Sequence, residues 1–323
     1  ENAPVLLSLG AGVQSSALAL MAARGDLQPM PSAAIFADTQ GEPGSVYRWL
    51  EYLTPHLPFP CHVVAKGSLE QSALTPNVSK KGVAYFRTAV PFFTLDPSTG
   101  KRGRISHRTC TRDFKLVPIF QEVRKLVGPG VVRRWWRDHA DEAKEWRAYQ
   151  EYLKAMRKAE KAKLPPPPAM PFPRRAWETM QRDALAEQWI GISLDEWARA
   201  KPSRDPWIRT RHPLIDLRMT RESCKGWLAA HGYPEPPRSA CWFCPFRSNE
   251  EWKRLQESDP DDWQRAVEFD RIARELRAEN GENMKSLVYL HRDCVPLGEA
   301  NLDEPHDGQM RLWDEECVGV CGV

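Results

Sequence analysis

Cys241-Trp242-Phe243-Cys244-Pro245 sets two thiols three residues apart. At that spacing both thiolates reach one metal centre, and proline after the last cysteine recurs at iron–sulfur sites. Cys110, inside Thr109-Cys110-Thr111, and Cys224 bring the candidate donor set to four. Spacing alone fits zinc as well as iron–sulfur, and a redox Cys-x-x-Cys pair is a third use of the motif. Two further thiols, Cys317 and Cys321, stand close to the end of the chain. The eight histidines show no metal-ligand spacing, so none is assigned to chemistry.

The second chemistry-bearing segment is Ser8-Leu9-Gly10-Ala11-Gly12-Val13-Gln14-Ser15-Ser16. Small residues let the backbone approach a phosphate, and N–H groups and hydroxyls at a helix start can bind one. No Gly-Lys-Ser/Thr ends the loop, so it is not a Walker A loop, and the third glycine of the dinucleotide pattern is missing.

The elements around this loop alternate. Val5–Leu7 reads as a buried strand, Ser15–Arg24 as a helix and Ala33–Ala37 as a strand ending at Asp38. Val46–Leu53 reads as a helix and His62–Ala65 as a third strand. Short apolar strands alternating with helices imply an α/β fold, a parallel sheet covered on both faces. Its ligands would sit at the carboxyl ends of the strands, where Ser8–Ser16 and Asp38–Glu42 fall. Ser248-Asn249-Glu250-Glu251 has capping-box spacing and opens a helix, and another runs from about Pro260 to Asn280.

Length and composition limit the alternatives. A chain of 323 residues holds about two domains, or one large one with insertions. With 41% hydrophobic and 28% charged residues it buries a core, which excludes global disorder. A mean hydropathy of -0.56, without any run of about 18 apolar residues, excludes a membrane-spanning helix. The apolar stretch Val5–Ala23 lacks a basic flank and is interrupted by Gln14, Ser15 and Ser16, so it does not read as a signal peptide. A cytoplasmic setting follows as the expectation. There, eight cysteines serve metal or redox chemistry better than disulfides.

Charge is uneven. Residues 101–163 hold 18 Lys/Arg against 8 Asp/Glu, whereas the remainder is net acidic. That basic block suggests DNA or RNA as a partner, with Trp135 and Trp136 beside Arg133, Arg134 and Arg137 as stacking and phosphate-neutralising groups. Four consecutive prolines, Pro165 to Pro168, form a stiff polyproline segment. The expected organisation is a nucleotide-binding part over 1–130 and a basic, proline-rich insertion or lid over 131–185. The core then returns over 186–247, and a helical, cysteine-bearing region covers 248–323.

Several of these segments together resemble the PP-loop superfamily, in its phosphoadenosine-phosphosulfate (PAPS) reductase branch. Gly10-Ala11-Gly12-Val13-Gln14-Ser15-Ser16 is similar to the Ser-Gly-Gly-x-Asp-Ser loop, with Gln14 at the Asp position. Phe36-Ala37-Asp38-Thr39-Gln40-Gly41-Glu42 is similar to the Asp-Thr-Gly strand end. Cys110-Thr111 with Lys115 and Pro118 resembles the Cys-Thr-x-x-x-Lys-x-x-Pro segment. Gly191 with Asp195, Glu196 and Arg199 resembles the branch's Gly-x-x-x-(Asp/Glu)-Glu-x-x-Arg segment. His212–Asp216, Thr220–Glu222 and His231–Pro234 are similar to its later helix and turn. The order is kept across most of residues 5–250.

The resemblance implies a PP-loop nucleotide-binding domain that takes ATP or another adenine nucleotide. Ser8, Gly10, Ala11, Gly12, Gln14, Ser15, Ser16, Thr39 and Gly191 would bind the nucleotide. Asp38 would position it or a Mg²⁺ ion, and Lys115 and Arg199 would neutralise phosphate charge. It also favours a [4Fe–4S] cluster on Cys110, Cys224, Cys241 and Cys244. The branch includes PAPS reductases and the sulfur-inserting subunit of DNA phosphorothioation systems. A single cysteine after Thr109, in place of adjacent cysteines, points to the phosphorothioation-like relatives, hence to ATP-dependent sulfur transfer to a nucleic acid fed by a sulfur donor protein. The alternative is a PAPS reductase served by a thioredoxin-like reductant, with Cys317 or Cys321 of the Glu-Cys-Gly-like tail as its catalytic thiol. A non-catalytic nucleic-acid-binding subunit on the same scaffold is the third expectation, and Gln14 is the residue that supports it.

Overall fold

The computed structural model describes residues 3–80, 82, 84–86, 89–105, 109–279 and 286–303. The catalytic candidates Cys317 and Cys321 therefore lie outside the described residues.

The first third of the chain lays down β1 (Val5–Leu9), α1 (Val13–Arg24), β2 (Ala33–Asp38), α2 (Gly44–Leu53), β3 (Cys61–Ala65) and α3 (Leu69–Leu74). Four short strands follow, β4 (Asn77–Val78), β5 (Ala84–Tyr85), β6 (Phe93–Leu95) and β7 (Arg102–Arg104). A π-helical segment, Cys110–Leu116, leads into α4 (Val117–Val127), α5 (Pro129–Asp138), α6 (Ala140–Ala162) and α7 (Arg174–Arg182). The chain then returns through β8 (Ala186–Ile190) and β9 (Ile208–Arg211) to α8 (Pro213–Asp216) and α9 (Arg221–Ala230). It closes with α10 (Asn249–Ser258), α11 (Pro260–Glu279) and β10 (Leu287–Tyr289).

Five strands form one wholly parallel sheet in the order β3-β2-β1-β8-β9. The chain winds outward from β1 to β3, then crosses back to β8 beside β1. The direction of winding reverses there, and parallel sheets open a ligand crevice at such a point, at the carboxyl ends of the strands.

Side chains alternate across each strand, so successive residues of β1 serve opposite layers. Val5, Leu7 and Leu9 pack with α1, α2 and α9 on one face. Leu6, with Ala33, Ile35 and Ala37 of β2, packs against α4, α5 and α7 on the other. Trp135 and Trp146 are buried in that second layer, and the Trp135 indole N–H donates to the Asp183 carbonyl at 2.7 Å. Val132, Trp135, Trp146 and Met180 of the segment 131–185 thus help cover the sheet, whereas its proline-rich stretch is mostly exposed. β2 and β8 present an apolar face that some helix must cover, and tryptophan supplies the most area per residue. Trp135 is accordingly unavailable for stacking on a base, while Arg133, Arg134 and Arg137 remain exposed.

A third cluster gathers α10, α11, Phe92 and the segment Ala240–Phe246 around the fully buried Trp242 and Trp252. Beside it, β6, β7 and β10 form a small antiparallel sheet. Ser248 and Glu251 complete the capping box of α10. Carboxylates of α11 and the residue before it tie this lobe to the parallel sheet. Asp262 accepts from the Gly44 N–H at 2.7 Å, and Asp259 accepts from the Ser45 N–H at 3.0 Å and from Arg48 at 2.8 Å. These are the orphan donors of α2's first turn, where negative charge is favoured. Among the described residues, no helix is long and apolar enough to cross a membrane.

Candidate functional site

Between β1 and α1 the chain turns within three residues. Ala11 sits in the left-handed region at φ 58°, a conformation that costs a residue with a Cβ and that clusters at functional loops. The Ser15 hydroxyl folds the turn on itself, accepting from the Gly10 N–H at 3.1 Å and donating to the Gly12 carbonyl at 3.3 Å. Gly12 is extended, and a Cβ there would lie 3.3 Å from that of Ser239. Behind the turn, Gly191 follows β8 with no room for a side chain, since a Cβ would lie 2.9 Å from both N and Cα of Ser15.

Two clefts open at this edge of the sheet. The first is lined by Ser8, Leu9, Gly10, Phe36, Ala37, Lys115 and Ile119, with Ser239. The second is lined by Gly12 to Ser15, Gly191, Arg221, Pro237 and Arg238, again with Ser239. One is largely apolar. The other combines a helix N-terminus with two guanidinium groups, an arrangement suited to an anion. Arg238 is held in place by the Phe246 carbonyl at 3.1 Å and by an ion pair with Glu251. Sequence reasoning missed Arg221, Arg238 and Ser239. Their only signal is a basic, Pro- and Ser-bearing stretch just before the Cys-x-x-Cys run, and nothing local places that stretch over the turn at 10–12.

Of the residues expected at the nucleotide, Ser8, Gly10, Gly12, Gln14, Ser15, Lys115 and Gly191 line these clefts, and Ala11 shapes the turn between them. Four others are placed elsewhere. The Ser16 hydroxyl accepts from the Trp49 indole at 2.9 Å, inside the core. Arg199 pairs with Glu196 at 2.9 Å, and the other Glu196 oxygen accepts from the Gln14 amide at 3.3 Å. Arg199 thus stands behind Gln14 and lines neither cleft. Asp38 accepts from the Gln40 N–H at 2.7 Å and the Tyr47 hydroxyl at 2.8 Å, which fixes the turn after β2. Thr39 is fully buried and turns to the cysteines.

The cysteine site adjoins the first cleft. The Thr39 hydroxyl lies 3.3 Å from Cys241 Sγ and 3.2 Å from Glu42 Oε1. Lys115, which lines the cleft, has its ammonium 3.3 Å from the same Glu42 oxygen. Cys110, Cys241 and Cys244 share one apolar surround that includes Phe114, Trp242 and Phe243. The Trp242 N–H donates to the Gly41 carbonyl at 2.8 Å, and a Cβ on Gly41 would sit 2.6 Å from the Phe243 ring. Gly41 therefore lets the Cys-x-x-Cys segment press directly onto the turn after β2. The buried Arg247 donates to the carbonyls of Ala240 at 2.9 Å and Cys241 at 3.2 Å, tying the motif's backbone down.

Cys224 is not part of this group. It is fully buried in the apolar layer between α9 and α1, with Leu228 beside it, and burial pushes its thiol up to about 12. The cause of the misplacement is local. Cys224 occupies the inward face of an amphipathic helix, where a small apolar residue is wanted regardless of chemistry. Cys294 also lies apart, its thiol against the Thr94 carbonyl at 3.5 Å.

The cysteine site is largely buried and its charges oppose one another. Burial pushes the Cys241 thiol up, the Glu42 carboxylate pushes it further, and Lys115 acts in the opposite sense. Burial likewise lowers Arg247, against the pull of Cys244, Cys241 and Glu42. Three buried atoms here have no hydrogen-bond partner, Glu42 Oε2, Trp242 Nε1 and Arg247 Nε. Among the described residues, no three His, Cys, Asp or Glu side chains converge tightly enough to hold a metal ion. Cys110, Cys241 and Cys244 are gathered in an apolar shell beside the cationic Lys115 and Arg247. Cys224 lies away from them. No family model, curated protein or solved structure matches the chain.

Proposed function

We propose that the chain is a PP-loop-type enzyme that binds an adenine nucleotide in the two clefts and transfers sulfur to a nucleic acid, with an iron–sulfur centre on Cys110, Cys241 and Cys244. The observation that carries the reading is Lys115. It lines the cleft at Ser8–Gly10 and pairs with Glu42, which touches Cys241. The two sites are thus adjacent, as a reaction joining nucleotide activation to sulfur chemistry requires.

In this reading the apolar cleft takes the base and ribose, and the turn at 10–12 with Arg221 and Arg238 takes the phosphates. The N–H groups of α1's first turn have no intrahelical acceptors and face the anion. Lys115 neutralises charge that develops on the phosphate facing the cysteines, at no cost of reorganisation because Glu42 already holds it. Gln14 supplies an amide in place of a carboxylate, which lowers the repulsion felt by phosphate and leaves any cation to be held by the nucleotide itself. The centre, when bound, supplies a site for sulfur. The surrounding chain contributes the dry walls of Phe114, Trp242 and Phe243 that keep water from a sulfur nucleophile.

The test is an anaerobic preparation assayed for ATP turnover and for PAPS reduction. ATP turnover without PAPS reduction supports the proposal; the reverse result selects the reductase. Gly12→Asp puts a carboxylate against Ser239 at the phosphate end, and calorimetry should then show ATP affinity reduced at least tenfold. Unchanged affinity removes the turn from the binding site.

The acceptor is read from the exposed basic side chains of α5. Arg133, Arg134 and Arg137 project from the layer in which Trp135 and Trp146 are buried and Trp136 is half-buried, so phosphate contact is the expected mode. Each duplex phosphate neutralised contributes roughly 0.9 to the slope of log affinity on log salt. Replacing all three arginines with Gln should flatten that slope by up to about 2.7, with the melting temperature unchanged. Absence of DNA and RNA binding by the wild type at low salt would remove the nucleic-acid acceptor.

A further inference from the structure

We propose that Trp197 is a stacking platform for an unpaired base of the nucleic-acid acceptor, presented beside the cleft that takes the phosphates. The inference rests on the nucleic-acid acceptor proposed above and names the place where a single strand would meet the chain.

Trp197 is 67% exposed. Among the described residues no other tryptophan is exposed, and no ring or guanidinium covers this one. An indole left in water forgoes the burial that stabilises the tryptophans of the core. A free aromatic face is what nucleic-acid bases stack on, whatever their identity, because every base has a π-face. Leu194 and Leu217 are exposed as well and add to the apolar surface.

The neighbours of Trp197 fix its place. It lies in the short turn Leu194–Arg199 that follows β8. Ser193 and Glu196 accept from the Gln14 amide at 3.4 Å and 3.3 Å, and Asp195 accepts from the Arg221 N–H at 3.1 Å. Gln14 and Arg221 both line the second cleft. The turn that carries Trp197 is therefore the flank of that cleft, braced on the starts of α1 and α9. A base held on this ring is held next to the phosphates that would activate it.

Charge selects the occupant. The acids of this region are matched: Asp195 by the Arg221 N–H, Glu196 by Arg199 at 2.9 Å and Asp216 by Arg211 at 3.1 Å. The exposed cations are not. Lys201 and Arg204 follow the turn, and Arg218 precedes Met219, whose carbonyl accepts from the Leu194 N–H at 2.7 Å. None of the three forms an ion pair among the described residues; Glu222, in the first turn of α9, stands against them. An aromatic face among unpaired cations suits a single strand, whose phosphates meet the cations while a base meets the ring. Because β8 and β9 are parallel, residues 200–207 return from the carboxyl end of the sheet to its amino end. The return ends near Arg209, which donates to the Gln181 carbonyl at 3.1 Å, close to Asp183, the partner of the Trp135 indole of α5. Lys201 and Arg204 thus lie between Trp197 and the layer that carries the α5 arginines.

The experiment measures, by fluorescence anisotropy, binding of a labelled single-stranded oligonucleotide and of the matching duplex to wild type, Trp197→Ala and Trp197→Phe. Trp197→Ala should weaken single-strand binding about 5- to 150-fold. Its duplex affinity, salt slope and melting temperature should stay at wild-type values, since no charge is removed and the ring supports no core. Trp197→Phe should keep most of the affinity but lose the quenching of tryptophan emission that the single strand causes in wild type. Replacing Lys201 and Arg204 with Gln should flatten the single-strand salt slope by up to about 1.4. Equal single-strand affinity in wild type and Trp197→Ala would overturn the platform and leave the acceptor reading standing. A wild type that binds neither single strand nor duplex at low salt would overturn the acceptor reading and the platform with it. A wild-type dimer that Trp197→Ala dissociates would make this face a contact between copies of the chain, and would overturn the platform too.

Discussion

Cys241→Ser should purify without colour, with iron and acid-labile sulfide at background. Cys241 is in close contact with the rest of the site. Thr39 lies 3.3 Å from its sulfur, Glu42 lies 3.9 Å away, and Arg247 holds its carbonyl at 3.2 Å. A serine hydroxyl is nearly the same size but is a hard donor that stays protonated, so it does not replace a thiolate on iron. Arg247 and Trp242 would still anchor the backbone, so the melting temperature should move little in the absence of metal. Cys224→Ser should behave in the opposite way. Its iron content should equal wild type, while a hydroxyl placed in the apolar layer between α1 and α9 should cost about 1–3 kcal/mol of stability. Retention of iron by Cys241→Ser would reject the centre. Loss of iron by a folded Cys224→Ser would restore the four-cysteine set expected from the sequence.

That contrast shows where sequence reasoning carries and where it stops. The alternation of strand and helix over residues 5–65 is written in short continuous apolar runs between helical spacings, and the parallel sheet follows it closely. The capping box at Ser248 is equally local, and it forms as the residue types require. The Cys-x-x-Cys run declares itself because both thiols lie within one turn of chain. The rest of the site is made by contacts between residues far apart in sequence. Glu42 meets Cys241 across 199 positions, and Ser239 roofs a turn that begins at Gly10. Neither relation leaves a period or a spacing to read. The layer formed by residues 131–185 was obscured for a different reason. Its surplus of lysine and arginine is real and exposed, and it masks an inner stripe of Val132, Trp135, Trp146 and Met180 that packs on the sheet. Composition averages over both faces of a helix, whereas packing depends on one.

Gly191→Ala should damage both stability and nucleotide binding. The new Cβ would lie 2.9 Å from the N and Cα of Ser15. Those are backbone atoms in the first turn of α1, whose helix is buried almost throughout against the sheet and α9. A flexible side chain could swing away; this backbone can yield only if the phosphate turn moves or β8 shifts in its register with β1. Overpacking of this kind costs about 1–3 kcal/mol. The displacement falls on the turn whose Ser15 hydroxyl bonds the Gly10 N–H and the Gly12 carbonyl, so ATP affinity should fall at least tenfold as well. Gly226→Ala is the matched control. It lies within α9, and an added Cβ there meets nothing within 4 Å. Removing a glycine from a helix interior should raise stability by about 0.5–1 kcal/mol and leave nucleotide binding unchanged. Denaturant midpoints and calorimetric titration of the two variants separate the effects. Equal stability and equal affinity in Gly191→Ala would mean that the contact between β8 and the first turn of α1 does not set the shape of the clefts.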